Sequence, residues 1–254
     1  MKFFFIVIIS FNVVWCAKAQ TLFIWPVKSM PAYSEVADFY ITNNFVDNNN
    51  TVQDWNCGTR TYNGHLGIDI DLWPFTWSMM DNNYVAVIAA APGRVTAITD
   101  NLNNENNCGQ TGENNNWNYI AIRHADSSTS FYGHIRTNSA QVTTGQFVSA
   151  GDVIAYVGSS GISSNPHLHF EVNRFSVNNS PGTGVFTGVI DPYAGACNTL
   201  NTTSWWQTQK PYREPAIVRV MTHGSRPSVP GYDNNPFPGF CRTAEVKNAK
   251  ASFS

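Results

Sequence analysis

Two short runs of this sequence bring together side chains able to hold a metal ion. His65 and Asp69 stand four apart in Gly64-His65-Leu66-Gly67-Ile68-Asp69, and His167 and His169 two apart in Pro166-His167-Leu168-His169-Phe170. Imidazole nitrogen and carboxylate oxygen suit zinc, and a catalytic zinc keeps three protein ligands and one open position. Two His and one Asp leave a site of charge about +1, which still polarises water. On a strand, His167 and His169 face one side with Cα atoms about 6.5 Å apart. His65 and Asp69 on a flat strand would be about 13 Å apart, so Gly64 and Gly67 are expected to bend the chain between them. Either pair alone is more often incidental than metal-binding; the two together raise the odds. His134, in Phe131-Tyr132-Gly133-His134, is a further strand-borne imidazole. His124 reads as structural, and His223 is assigned no role.

The elements that must position these residues are strands. Tyr84–Ala91 is β-prone and meets the turn signal Pro92-Gly93, with Val95–Thr99 expected as the return strand. Tyr119–Arg123, Thr129–His134, Gln146–Val148, Val153–Val157 and Leu168–Val172 are further short strands, and Asn103–Asn116 reads as a polar loop. No helical periodicity stands out between Cys57 and Tyr193. The expected fold is all-β, an antiparallel sheet sandwich or partly open barrel. After Ala196 the prolines and the pair Trp205-Trp206 suggest an irregular wrapped extension or the start of a further module. The expected divisions are an N-terminal segment 20–56 packed on the catalytic part, a catalytic domain 57–193, and a C-terminal segment 194–254.

Composition narrows the classes. The 254 residues carry a formal net charge of −2 with 13% charged side chains, so no basic field exists to bind nucleic acid. Lys2, the apolar run Phe3–Trp15 and the small-x-small site Ala17-Lys18-Ala19 read as a signal peptide, residues 1–19, and the run is too short to span a bilayer. Its removal takes away Lys2, Lys18 and Cys16, leaving Cys57, Cys108, Cys197 and Cys241 in an exported, periplasmic or extracellular chain with no later membrane span. Four cysteines there suggest two disulfides. Cys57–Cys108 and Cys197–Cys241 are the favoured pairs, because each falls within one region.

The ordered set of motifs resembles the lysostaphin-type zinc metalloendopeptidases, peptidoglycan endopeptidases with the duplicated hybrid motif fold. Its members here are Asn63-Gly64-His65-Leu66-Gly67-Ile68-Asp69, Ala90-Ala91-Pro92-Gly93-Arg94-Val95, Tyr132-Gly133-His134, Gly145–Ile154 with Gly158 and Gly161, and Pro166-His167-Leu168-His169-Phe170-Glu171. The resemblance implies a sheet groove with zinc on its floor, ligands at His65, Asp69 and His169, and unligated catalytic histidines at His134 and His167. It implies hydrolysis of peptide bonds in peptidoglycan stems or cross-bridges, with one histidine taking a proton from the attacking water and the other steadying the oxyanion. Which histidine does which stays open. Two features depart from the family pattern: a long loop between Thr99 and Trp117, and the aromatic run Trp73-Pro74-Phe75-Thr76-Trp77, which either lines the groove or packs locally.

Other chemistries fit less well. No lysine stands between Lys28 and Lys210, which excludes Schiff-base catalysis and lipoyl or biotin carriage in the core. Gly158-Ser159-Ser160-Gly161 lacks the spacing of a nucleophile elbow. Two alternatives stay beside the peptidoglycan reading: a protease of Gly-rich extracellular proteins, and a non-catalytic regulator of cell-wall enzymes. All five positions are filled, which favours catalysis.

Overall fold

The computed structural model describes residues 19–30, 39–48, 52–73, 75–103, 116–174 and 188–212. Its strands are β1 (Val27–Ser29), β2 (Tyr40–Asn44), β3 (Gly67–Leu72), β4 (Val85–Ile88), β5 (Gly93–Thr99), β6 (Tyr119–Arg123), β7 (Thr129–Gly133), β8 (Phe147–Val148), β9 (Val153–Tyr156), β10 (His167–Asn173) and β11 (Val189–Ile190). The eight-stranded sheet runs β2-β3-β10-β7-β6-β5-β8, with β11 paired to β10, and a three-stranded sheet runs β1-β4-β9. Neighbouring strands pair antiparallel throughout. The all-β expectation holds, and no barrel closes among the described residues.

Alternation along β3 and β10 decides which residues make core and which make site. Successive strand residues face opposite sides. Ile68, Ile70 and Leu72 of β3, with Leu168, Phe170 and Val172 of β10, enter one hydrophobic cluster shared with Val85, Val87, Ile154 and Ala155 of the smaller sheet. Gly67, Asp69, Asp71, His167, His169 and Glu171 therefore line the opposite face. Both faces of the two strands are covered, so every residue of β3 and β10 is buried.

The expected β4–β5 hairpin is not formed. The strands belong to different sheets, and Ala89, Ala90 and Ala91 carry the chain between them fully buried. Ala90 N–H donates to the Tyr132 hydroxyl at 2.8 Å, so side chains this small let the backbone cross close to the core. A helix, α1 (Thr76–Asp81), stands where none was expected. At six residues it is too short to show a helical period in sequence, and it is anchored by burying Trp77, Met79 and Met80.

The cysteines correct a second expectation. Cys57 is bonded to Cys197, with Cα atoms 5.1 Å apart. Neither Cys57–Cys108 nor Cys197–Cys241 is formed, and Cys108 and Cys241 lie outside the described residues. The segments pair because Trp55 stacks on Tyr193 at 4.8 Å, Cys197 N–H donates to Trp55 O at 3.1 Å, and Asn48 Nδ2 donates to Asp191 Oδ2 at 2.7 Å. Proximity in space is thus set by aromatic packing 140 residues apart in sequence. Trp205 and Trp206 lie in the same hydrophobic cluster as Phe23, whose N–H donates to Trp205 O at 2.7 Å.

Candidate metal centre and active site

β3 supplies Asp69 and β10 supplies His169, paired directly across the ladder. Side chains directly opposite on one face stand within contact distance. His65 reaches them from the turn before β3. There Gly64 takes a φ of +79°, a conformation that favours glycine. The turn is held to the 45–48 segment: Asp47 N–H donates to His65 O at 2.8 Å, and Gly64 N–H donates to Asp47 Oδ2 at 3.0 Å. Gly67 does not provide the expected bend. It lies within β3, where a Cβ would meet His169 Cε1 at 2.7 Å and Phe170 O at 2.8 Å. Its role is to admit the ring of His169.

The three side chains converge on one point. His65 Nε2 lies 3.1 Å from Asp69 Oδ1 and 3.2 Å from His169 Nδ1, and His169 Nδ1 lies 3.0 Å from Asp69 Oδ1. Among the described residues they form a buried group of donor atoms able to hold a metal ion. The hydrogen-bond chemistry fits that use. His65 Nδ1 faces the carbonyl of Phe45 at 2.7 Å, so it carries the proton and leaves a bare lone pair on Nε2. That lone pair points at a carboxylate oxygen, an arrangement a cation satisfies. Two ligand atoms about 2.0–2.1 Å from one tetrahedral zinc lie roughly 3.3 Å apart, close to the spacings found.

A surrounding layer orients the ligands. Asn44 Nδ2 donates to Asp69 Oδ2 at 3.0 Å. Behind His169, Glu171 Oε2 lies 3.6 Å from Nε2, longer than a hydrogen bond; both atoms are buried and have no other partner among the described residues. The phenol of Tyr62, a residue 51% exposed, stacks on His65 with centroids 4.4 Å apart. Burial disfavours the charge on Asp69, but His65, His167 and His169 hold its carboxyl well below the usual range. Burial also opposes protonation of His169, yet the carboxylates of Asp69 and Glu171 hold it up at about 9.

His134 and His167 stand together beside this group, ring centroids 4.4 Å apart. His134 follows β7 and takes a φ of +58°, an uncommon conformation away from glycine. His134 Nδ1 faces Ser160 O at 2.6 Å, and His167 Nδ1 faces Asn165 O at 2.7 Å. Each Nδ1 therefore carries the proton, which leaves Nε2 bare on both rings. His167 Nε2 lies 3.7 Å from Asp69 Oδ1. Burial first, then the charges of His167 and His169, hold His134 well below the usual imidazole range. Trp117 packs edge-on against His134 at 4.4 Å and tilts over His169 at 5.2 Å.

The structure thus brings together all five residues singled out in the sequence. His124 lies elsewhere, buried between Pro92 O at 2.9 Å and Ser130 Oγ at 2.8 Å; His223 lies outside the described residues. The aromatic run divides: Trp77 joins the core, while Trp73 is 39% exposed. Sequence reasoning missed Asn44, Tyr62, Asp71, Trp117 and Asn165. Asp71 carried the one available signal, since it shares the strand face of Asp69 at i+2. Asn44 carried none, because a β-bulge between Thr42 and Asn44 sets its register against Asp69.

The part of the chain that carries these residues is similar to known proteins. Residues 63–181 match the model of the family described as Peptidase family M23. Among solved structures, the chain is similar to a mutant catalytic domain of the prophage-encoded M23 protein EnpA from Enterococcus faecalis, at 22% identity over 61% of this chain and 90% of that one, TM-score 0.38. It is similar to the catalytic domain of the antimicrobial peptidase lysostaphin from Staphylococcus simulans, at 22% identity over 60% and 86%, TM-score 0.35. It is also similar to LytU, at 24% identity over 63% and 88%, TM-score 0.36. The span from 63 to 181 that matches the M23 peptidase family model contains every one of the five clustered residues.

Proposed function

We propose that this protein is an exported zinc metalloendopeptidase that hydrolyses peptide bonds in bacterial peptidoglycan stems or cross-bridges. The observation that carries the reading is the triangle of His65 Nε2, Asp69 Oδ1 and His169 Nδ1, with edges of 3.0–3.2 Å, flanked by the bare Nε2 atoms of His134 and His167. Zinc bound by those three ligands supplies a Lewis acid that acidifies water and polarises a carbonyl oxygen.

The protein's own groups supply the proton handling. His134 is held neutral, so its Nε2 can accept the proton of an attacking water. His167, fixed by Asn165 O, stands on the other side of the pair to donate a hydrogen bond to the developing oxyanion once protonated. The proton that His134 takes from the water then passes to the leaving amine. Trp117 shields the pair from bulk water on one side. The site lies on the face of a sheet, which suits an extended, slim peptide with small residues at the scissile bond. Residues 1–18 of the expected signal lie outside the described residues, and export rests on the sequence pattern of residues 1–19.

The test is digestion of purified peptidoglycan and of a Gly-rich extracellular protein by the mature protein, with and without chelator, read by mass spectrometry. New amino termini in the wall peptides, lost on chelation, are expected. If only the Gly-rich protein is cut, the matrix-protease alternative replaces this reading. If neither is cut while zinc is bound, the regulator alternative does.

A further inference from the structure

Beside the metal ligands lies a carboxylate that the mechanism does not use. Along β3, Gly67, Asp69 and Asp71 project onto the groove face, and Trp73 continues the row, its N–H donating to Phe39 O at 3.1 Å. Asp71 stands directly opposite His167 on β10 and Ile41 on β2. It is 7% exposed, the same as His167, so a substrate that reaches one reaches the other. Trp73 and Ile41, each 39% exposed, form the rim beside it.

Asp71 has neutral donors and, among the described residues, no Lys or Arg counter-ion; burial pushes its carboxyl up to about 6, against the charge of His167 opposite, which lowers it. Asn165 Nδ2 donates to its Oδ2 at 3.1 Å, and Asn43 supplies a second side-chain bond. A carboxylate has about four acceptor positions, so two remain among the described residues. Among the described residues no Lys or Arg forms an ion pair with it. Nor is it needed to fix His167, whose Nδ1 is already held by Asn165 O at 2.7 Å. A carboxylate with open lone pairs next to an exposed indole is the chemistry that recognises an ammonium group, by charge-assisted hydrogen bonding and by the ring face.

We propose that Asp71 and Trp73 form a substrate subsite that selects peptides bearing a free primary amine close to the scissile bond. The proposal rests on the endopeptidase reading and adds the substrate class. Asp71→Asn keeps an acceptor for Asn165 and removes the charge.

The experiment uses the zinc-loaded mature protein and a set of quenched oligoglycine peptides. Each peptide carries one Lys, moved through successive positions, and each is matched by its Nε-acetyl-lysine twin. At one position the wild type is expected to prefer Lys over acetyl-lysine by roughly 10- to 100-fold in kcat/KM, carried mainly by KM. In Asp71→Asn that ratio is expected to fall to near one with zinc content unchanged, and Trp73→Ala is expected to lower it in part. No preference at any position in the wild type, or an unchanged ratio in Asp71→Asn with both twins slowed equally, overturns the proposal. Equilibrium binding of the same twins to zinc-loaded His134→Ala, with and without Asp71→Asn, reads the subsite without turnover. Binding preference without cleavage by the wild type strikes the endopeptidase reading and leaves the subsite standing; cleavage without preference does the reverse.

Discussion

Gly67 and His169 touch across the β3–β10 ladder so closely that a Cβ on Gly67 would sit 2.7 Å from His169 Cε1, with Phe170 O at 2.8 Å on the same side. The backbone cannot give way at a ladder position, so the ring must. Gly67→Ala is therefore expected to displace His169 and lower zinc affinity by roughly 10- to 100-fold, the usual cost of disturbing a ligand's support. Chelator competition measures it. Unchanged affinity would show that the ring has room to tilt.

Glu171 backs the same ring from behind: its Oε2 lies 3.6 Å from Nε2 with no hydrogen-bond partner among the described residues, while its Oε1 accepts from Asn173 Nδ2 at 3.3 Å. A carboxylate there orients the ligand and raises its basicity. Glu171→Ala is expected to weaken zinc binding by about 10- to 100-fold, with Glu171→Gln intermediate. Equal zinc affinity in all three proteins would remove Glu171 from the site.

His169→Ala is expected to lose the metal, whereas His134→Ala and His167→Ala are expected to keep it and to lose activity by about 100-fold or more, the scale of general acid–base catalysis. Metal analysis beside turnover separates the two groups. Full zinc occupancy in His169→Ala contradicts the ligand assignment.

The Cys57–Cys197 bond closes a span of 140 residues, and Trp55 and Tyr193 near it each pack against Phe45, whose carbonyl holds His65 Nδ1. Replacing both cysteines by serine is expected to destabilise the fold by up to about 5 kcal/mol in the chain-entropy description. Denaturant unfolding of the zinc-loaded pair reads this. Peptide mapping without reduction that finds Cys57 bridged to Cys108 contradicts the pairing.

His124 is buried and held neutral between Pro92 O and the Ser130 hydroxyl, and burial pushes its pKa below 6.5. A group whose folded pKa is depressed adds stability above its unfolded pKa and loses it as pH falls through the folded value. Below pH 6.5 the unfolded chain takes a proton that the folded chain resists, so stability falls with acid. Melting temperature measured between pH 7.5 and 5 on the wild type and on His124→Gln should show a shallower acid slope in the variant, across about that range. Parallel curves would refute the assignment.

Several features of this protein were legible in its residues. The i,i+2 spacing of His167 and His169 guarantees a common strand face, and the ordered Gly, His and Asp motifs mark one family span. Short alternating runs place β6, β7, β9 and β10 within a residue or two, because their periods follow from the pleat alone. What the tertiary structure decided is everything that depends on register between distant segments. Sequence spacing left His65 too far from Asp69 on a strand; the clamp of Asp47, Phe45 and Gly64 brings it in. The apparent β4–β5 hairpin became a crossing between sheets because three buried alanines let the backbone through the core. Cys57 chose Cys197 because Trp55 and Tyr193 stack. Asn44 reaches Asp69 only through a bulge. Local periodicity is written into the chain residue by residue, whereas these contacts depend on which strands come to lie side by side, a choice made by burial over the whole core.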